Sequence, residues 1–248
     1  EEKQVVVPGE VLAEGMDFLP SYGTYRLKNK IIAKRMGLAV VDKRIIKIIP
    51  LSGRYLPKVH DVIIGQVIDI AISGWRLEIN SAYSAMLSMK DASSQYIRRG
   101  ADLTKWFDIG DFVVAKITNV TSQNLVDLSM KGPGLRKLKG GRIIRVKCAK
   151  VPRIIGKGGS MIRLVKQATN CNITVGQNGW VWIQGTPEEE IKATMAIKKI
   201  DENSHVNGLT ELISDFLGYH ELEQHAHESS DSGYQHDRKF SDDSEVQQ

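Results

Sequence analysis

The sequence predicts a multidomain protein that is mainly β in its first half and α+β in its second, followed by a polar acidic tail. Its length of 248 residues favours more than one domain. Short β-like runs separated by Gly and Pro turns fill the first half, and no helical period occurs before residue 57. Amphipathic helical periods begin only after a glycine-rich loop at residues 156–159.

The first segment, residues 1–57, predicts a small all-β module. Its apolar runs at 5–7, 37–41 and 44–49 have the length and β-branched composition of strands. The dipeptides between and around them are turn formers: Pro8-Gly9, Tyr22-Gly23 and Ser52-Gly53.

The second segment, residues 58–131, predicts a five-stranded barrel of the OB type. A long alternating run at 61–72 contains Gly65, which suggests a bend inside the strand. Further strands are expected at 75–79, 85–89, 112–120 and 125–130, with one helical turn at 102–107 before the fourth strand. Five short strands with a helical turn in that place are typical of an OB-fold.

The third segment, residues 132–219, predicts an α+β domain. Strands are expected at 142–149, 172–175 and 180–183, and Asn178-Gly179 is a strong hairpin signal between the last two. Helices are expected at 160–169, 187–201 and 209–217; Thr186 can cap the second of these, and Pro187 suits its first turn. Residues 220–248 contain few apolar side chains and predict a disordered acidic tail.

The charge of the chain favours a polyanionic partner. The pI is near 9.1 and the net charge is +5. The tail carries eight acids and two bases, a net of −6, so the preceding 219 residues carry +11. Residues 128–187 include twelve Lys or Arg and no Asp or Glu. The simplest polyanion of this kind is nucleic acid.

Several other functions lack support in the sequence. Cys148 and Cys171 are the two cysteines, and neither belongs to a Cys-x-x-Cys pair, so no zinc site or disulfide framework is expected. We expect a reducing, cytoplasmic location, no cofactor and no membrane partner, since no apolar run approaches the roughly 18 residues of a membrane span. No catalytic constellation is visible, and we predict a non-enzymatic protein.

The glycine loop provides the strongest motif. Three of the four residues Gly156, Lys157, Gly158 and Gly159 lack a Cβ, so another backbone can approach closely. The loop also precedes a predicted helix, whose first N–H groups can face an anion. A dinucleotide fingerprint would need glycine where Met161 stands, and a Walker loop would need glycine at Val151. A plain turn between helices remains open on the loop residues alone.

The order strand, glycine loop, helix, strand, hairpin, strand, helix resembles the KH family, whose core matches residues 154–162. The resemblance implies that the loop clamps about four nucleotides by their backbone, with an apolar groove beside it for the bases. Gly156, Lys157, Gly158 and Gly159 inherit the backbone role. The nearby candidates for phosphate contact are Arg153, Lys150 and Arg163, whereas Ile155 and Ile162 are expected in the core or the groove floor.

The second segment resembles an S1-type RNA-binding domain, through Val67-Ile68 and the runs at 74–77, 109–113 and 125–130. Many S1 domains carry aromatic residues and a His on the binding face, where this chain has Arg76 and Ser88. Base stacking is therefore less expected, and positive charge can replace it. The RNA-binding candidates of this segment are Arg76, Lys90, Arg98, Arg99, Lys105 and Trp75; Trp75 and Trp106 fit base stacking and barrel packing equally well.

A β module followed by S1 and KH segments resembles the RNA-binding cap subunits of the archaeal exosome, of the ribosomal-RNA-processing protein four type. The resemblance implies that three such subunits bind a hexameric ring of ribonuclease-PH-like subunits, which degrades single-stranded RNA phosphorolytically from its 3′ end. The N-terminal module would dock on the ring, so its removal up to Leu56 should prevent assembly. The alternative is a free-standing RNA-binding regulatory protein.

Overall fold

The computed structural model describes residues 4–98, 100–204, 206 and 208–218. The predicted acidic tail and the candidate Arg99 lie outside these residues. The described chain forms the three predicted modules in order, and its elements are named below in chain order.

The N-terminal module is all-β, as predicted. Two antiparallel or mixed sheets, β1-β6-β7-β3 and β2-β5-β4, enclose a small core that includes Val6, Ala33 and Ile48. Its strands are β1 Gln4–Val6, β2 Val11–Glu14, β3 Leu19–Pro20, β4 Thr24–Leu27, β5 Lys30–Ala33, β6 Gly37–Asp42 and β7 Ile45–Pro50. The second sheet was not predicted, because its strands are four residues long and lack a sustained alternation.

The second module is a closed five-stranded barrel, as predicted. Strand β12 closes it by pairing parallel with β10 and antiparallel with β11. The five strands are β8 Val62–Ala71, β9 Gly74–Glu78, β10 Ala85–Ser88, β11 Phe112–Val120 and β12 Val126–Ser129. A short helix α1, Met89–Ala92, follows β10, and a 3-10 turn, Leu103–Lys105, precedes β11. Strand β13, Lys137–Leu138, also pairs with β11, so the sheet continues beyond residue 131.

The third module packs helices on one face of the antiparallel sheet β14-β16-β15. Its elements are β14 Arg142–Arg145, α2 Val151–Ile155, α3 Ser160–Thr169, β15 Asn172–Val175, β16 Trp180–Gln184, α4 Pro187–Glu202 and α5 Leu209–Leu217. The start of α4 is fixed by a capping box, in which Thr186 accepts from the Glu189 N–H and the Glu189 side chain accepts from the Thr186 N–H. The predicted strand at 142–149 ends at Arg145, because residues 148–150 form a 3-10 turn that leads into α2.

The β15–β16 hairpin of the third module is inserted against the barrel. Asn178 at its tip is fully buried. Its side-chain amide donates to the carbonyl oxygens of Ile64 (2.7 Å) and Ile79 (3.0 Å), and its oxygen accepts from the Ile64 N–H at 3.3 Å. The Asn80 amide donates in return to the Asn178 backbone oxygen at 2.7 Å. The hairpin therefore completes the hydrogen bonding of two barrel strands.

An apolar cluster beside this hairpin joins the same two modules. Trp180 and Trp182 of β16 pack against Ile64, Val114 and Leu138 of the barrel sheet. Phe112 meets Trp180 edge to face, with ring centres 5.7 Å apart. Burial of such large side chains dominates interface energies. The barrel and the third module therefore keep separate cores and share this smaller apolar cluster between them.

Candidate nucleic-acid interface

The glycine loop connects α2 to α3 with backbone angles that favour glycine. Gly156, Gly158 and Gly159 have φ values of 77°, 61° and 82°, in the left-handed region that L side chains rarely adopt. A Cβ on Gly156 would lie 2.7 Å from the Met161 N atom, whereas one on Gly158 would meet nothing within 4 Å. At Gly156 both the lack of space for a Cβ and the positive φ favour glycine, whereas at Gly158 only the positive φ does.

Hydrogen bonds within the loop brace it. The Gly156 N–H donates to the Pro152 carbonyl at 3.0 Å, and the Gly159 N–H donates to the Gly156 carbonyl at 3.2 Å. The Ser160 N–H donates to the Lys157 carbonyl. These three N–H groups are satisfied within the loop and do not face an anion. For the next N–H groups of α3, those of Met161 and Ile162, the expectation stays a prediction. The exposed tip that remains is Lys157-Gly158.

Three of the cations predicted for this site surround the tip. Arg153 on α2, Lys157 in the loop and Arg163 on α3 are all exposed. Ile155 and Ile162 flank the loop and are half-buried against the core of the module, which leaves apolar surface beside the cations. A strand with negative phosphates and apolar bases can use both kinds of surface.

Lys150 is placed differently. Its side chain is partly buried, and its ammonium group donates to the Asp201 carbonyl oxygen in the last turn of α4. A cation at that position complements the negative end of the helix. The structure thus gives Lys150 a partner within the fold and sets it apart from the exposed cations of the loop.

The barrel candidates divide into exposed cations and buried rings. Arg76 points outward from β9, and its guanidinium lies 3.9 Å from the Asp69 carboxylate, with both side chains about half exposed. Lys90 on α1 is exposed, and so are Arg98 and Lys105 on the connection between β10 and β11. Among the described residues, none of these three forms a salt bridge, although the charge of Lys105 helps to lower the pKa of Asp102.

Trp75 is the clear correction to the predicted site. It neighbours Arg76 on β9, but alternation turns its ring into the barrel, where it is fully buried. The indole N–H donates to the Phe107 carbonyl at 2.9 Å, and the two rings meet edge to face at 5.1 Å. Trp75 is therefore a core residue that cannot stack on a base, and Trp106 is half-buried against the same core.

Sequence reasoning missed three features of the interface. It did not predict α2, because five residues are too few to show a helical period. It did not include Lys166, which is exposed three residues after Arg163 on the same side of α3. It also identified Asn178 only as a turn residue, since the Asn-Gly signal describes local geometry and carries no information on the distant partners Ile64 and Ile79.

The side chains whose pKa values are shifted lie away from the loop. Burial and the hydrogen bond that Tyr55 donates to Asp61 (2.5 Å) raise the pKa of the Tyr55 hydroxyl well above its usual range. Two hydrogen bonds from Thr104 lower the pKa of Asp102, and burial raises that of the Cys148 thiol. These groups serve structure: Tyr55 belongs to the barrel core, Asp102 caps the 3-10 turn, and Cys148 donates to the Asn178 carbonyl at 3.2 Å.

The described part of the chain contains neither a cluster of potential metal ligands nor a helix suited to span a membrane. Within those residues, no three His, Cys, Asp or Glu side chains come together as metal ligands would. None of the described helices combines the length and the apolar character needed to cross a membrane.

Comparison with family models matches all three modules. Residues 3–52 match the exosome RNA binding protein RRP4 N-terminal domain, residues 54–101 match the RRP4 S1 domain, and residues 141–199 match the KH domain. We use the names S1 barrel and KH module for the second and third modules below.

Whole-length relatives share the same description. The exosome complex component Rrp4 of Thermococcus kodakarensis is 42% identical over 219 residues, covering 87% of this chain and 85% of that protein. The proteins of the same name from Pyrococcus furiosus and Methanothermus fervidus are 41% and 39% identical and are covered over 83% and 96% of their lengths. A crystal structure described as an exosome complex RNA-binding protein aligns with a TM-score of 0.62 at 33% identity, covering 67% of this chain and 96% of that one.

Proposed function

The chain belongs to the exosome complex component Rrp4 family, and from that premise we propose that it is the RNA-binding cap subunit of an archaeal exosome. It binds single-stranded RNA and guides it into the central pore of a hexameric ring, where ribonuclease-PH-like subunits degrade the RNA from its 3′ end. Three copies act on each ring in the cytoplasm, and the chain itself performs no catalysis. The observation that carries this proposal is the family match to all three modules in one order.

The KH loop supplies the grip on the RNA backbone. Its Lys157-Gly158 tip is exposed, and Arg153 and Arg163 stand on the two helices that it joins. The absence of side chains at Gly156, Gly158 and Gly159 lets a sugar-phosphate backbone approach the loop closely. The S1 barrel adds exposed cations, of which Arg76 is one. Several weak grips on one rigid scaffold bind RNA far better than any one of them alone.

The N-terminal module supplies the surface for the ring. The described residues include 24 exposed large apolar side chains, and twelve of these lie between residues 5 and 51. That segment makes up less than a quarter of the described residues. Leu19 of β3 and Ile45 of β7 are neighbours in register and are 57% and 43% exposed. A concentration of exposed apolar side chains that includes such an adjacent pair favours a protein-binding face.

Ring assembly tests the proposal. We expect the double variant Leu19→Glu/Ile45→Glu to lose co-sedimentation with the ring subunits of the source organism, while its affinity for single-stranded RNA stays unchanged. The matched control Ile191→Glu/Met195→Glu alters two exposed apolar side chains on α4 and should still assemble. Substitution is cleaner than removing residues up to Leu56, because that deletion also takes away Tyr55 from the barrel core.

Two results would contradict the proposal. Normal assembly of the Leu19/Ile45 variant would show that this face does not dock. A wild-type chain that binds RNA but never joins the ring would instead support a free-standing RNA-binding regulator.

A further inference from the structure

A cleft lies at the point where the three modules meet. It measures about 210 Å³, and each module contributes to its walls. A neighbouring hollow of about 420 Å³ shares four of its lining residues and extends it along the N-terminal module. We call the two together the junction groove. Its principal lining residues are Tyr22, Ile49, Pro50, Arg54, Lys58 and Pro152.

Cations outnumber acids in the junction groove. The Lys58 ammonium nitrogen lies 4.5 Å from the centre of the Tyr22 ring, and the Arg35 guanidinium carbon lies 5.2 Å from the same centre. Cation–π attraction thus holds two positive groups beside one ring. Arg54 adds an exposed guanidinium to the wall. Lys47 is the third cation of the lining.

The two carboxylates near the groove already have partners within the fold. The Asp61 carboxylate, which also lines the cleft, accepts the Tyr55 hydroxyl at 2.5 Å. Asp42 lies 3.4 Å from the Lys47 ammonium group. The three lining cations Lys47, Arg54 and Lys58 outnumber these two carboxylates, so the groove keeps a net positive charge. Ile49 and Pro50 provide an apolar strip between the charged side chains.

Helix α2 connects the junction groove to the KH loop. Pro152, near the start of this helix, lines the cleft, and Gly156 of the loop follows its last residue, Ile155. A helix of five residues is about 7.5 Å long. The groove and the loop therefore lie at opposite ends of one short helix, and exposed Arg153 stands between them.

We propose that the junction groove binds phosphates of single-stranded RNA next to the nucleotides held by the KH loop. This inference rests on the proposed function, because it assumes that the loop holds RNA. Lys58 and Arg54 contact the phosphates, and Tyr22 positions Lys58. The apolar strip at Ile49 and Pro50 packs against a ribose or base. Positive charge combined with aromatic and apolar surface is the common composition of single-strand binding grooves.

The test compares two charge-matched variants by fluorescence anisotropy with labelled oligoadenylates. Arg54→Glu/Lys58→Glu changes the groove, and Lys28→Glu/Lys43→Glu changes two exposed lysines elsewhere on the N-terminal module. A short probe of about four nucleotides fits the loop alone, and a long probe of about twelve nucleotides reaches beyond it. Thermal unfolding of both variants checks that the exposed substitutions leave the fold intact.

We expect the groove variant to bind the long probe about tenfold more weakly than the control and the short probe equally well, because only the long strand reaches the groove. For the long probe, the slope of log affinity against log salt should also become less steep by about 1.4, since two phosphate contacts are lost. In the wild type, a long probe containing 4-thiouridine should crosslink to the peptide that carries Tyr22 or Lys58.

Equal affinity of the groove variant and the control for the long probe, or no crosslink in the groove, would overturn the proposal. Loss of ring assembly with unchanged RNA affinity would show that the groove binds protein, which also overturns it. Failure of the RNA-binding part of the proposed function looks different, because the wild type would then bind neither probe. Failure of its ring-binding part appears in the assembly experiment and leaves these affinities unchanged.

Discussion

At the scale of single residues, the glycines of the KH loop have separate roles. Gly156 is constrained by the 2.7 Å approach of a Cβ to the Met161 N atom, whereas Gly158 has open space around it and only its φ of 61° is unusual. The tip can therefore be given negative side chains without a steric clash, while Gly156 cannot accept even a methyl group. This difference makes the tip the place to test RNA binding without disturbing the fold.

We predict that Lys157→Asp/Gly158→Asp lowers the affinity for single-stranded RNA at least about tenfold, because two carboxylates replace one ammonium group beside the phosphates. The left-handed angle at Gly158 costs an Asp only about 1–2 kcal/mol, so circular dichroism should remain native. The control Lys192→Glu/Lys198→Glu alters two exposed positions of α4. It changes the net charge by −4, slightly more than the −3 of the loop variant, and should leave the affinity nearly unchanged. Unchanged affinity in a filter-binding assay would exclude the loop as the clamp.

Residue chemistry also explains which candidate failed. Trp75 and Arg76 are adjacent on β9, and both residue types are common at RNA interfaces. The sequence does not state which of the two faces the barrel interior, because a strand alternates and either phase is possible for a short run. Trp75 bonds to Phe107, which is distant in sequence, and Arg76 lies near Asp69, which is on another strand. Only the folded barrel therefore decides which of the two side chains points inward.

At the scale of elements, the β15–β16 hairpin joins two modules, and the Asn178 side chain makes three of the hydrogen bonds between them. The Asn178 amide satisfies backbone groups of Ile64 and Ile79, and the Gln177 N–H donates to the Val62 carbonyl at 2.9 Å. Loss of the amide would leave buried backbone groups without partners. Residue 178 therefore contributes to the orientation of the KH module on the S1 barrel.

We predict that Asn178→Ala lowers the free energy of unfolding by about 2–4 kcal/mol, since more than one buried polar group loses its partner. Gln177→Ala is the matched control, because its side chain is exposed and its contact to the barrel uses the backbone. Urea unfolding followed by tryptophan fluorescence measures both variants, and Trp180 in the hairpin should report the change. Equal midpoints for the two variants would show that the amide is not a structural link.

At the scale of the whole molecule, the three modules form one scaffold for a charged strand. The KH loop and the exposed cations of the S1 barrel lie on different modules, and the junction groove lies where all three modules meet. The hairpin and the tryptophan cluster hold the S1 barrel and the KH module together. A rigid arrangement lets separate weak contacts act on one RNA molecule without a large ordering cost.

We predict that the affinity for single-stranded RNA falls steeply with salt, with a slope of log affinity against log salt of about −0.7 for each phosphate neutralised. For a strand held by three or four cations, this corresponds to a slope of about −2 to −3. Anisotropy titrations at several potassium chloride concentrations measure it. A flat response would contradict the role assigned to the charge of residues 128–187.

The sequence alone determined the three modules, and it supplied the prediction of an RNA-binding site at the glycine loop. Local signals were sufficient for β11, α3, β15 and α5, because an alternating or helical period of adequate length specifies each of them. The glycine loop was also visible, because its conformation depends on residues that adjoin in the chain.

Only the tertiary structure decided which side chains reach solvent and how the modules meet. The burial of Trp75, the partner of Lys150, the contacts of Asn178 and the junction groove all depend on residues that are distant in sequence. Hydrophobic burial and hydrogen bonding act between whichever groups the fold brings together, so no local pattern encodes these contacts.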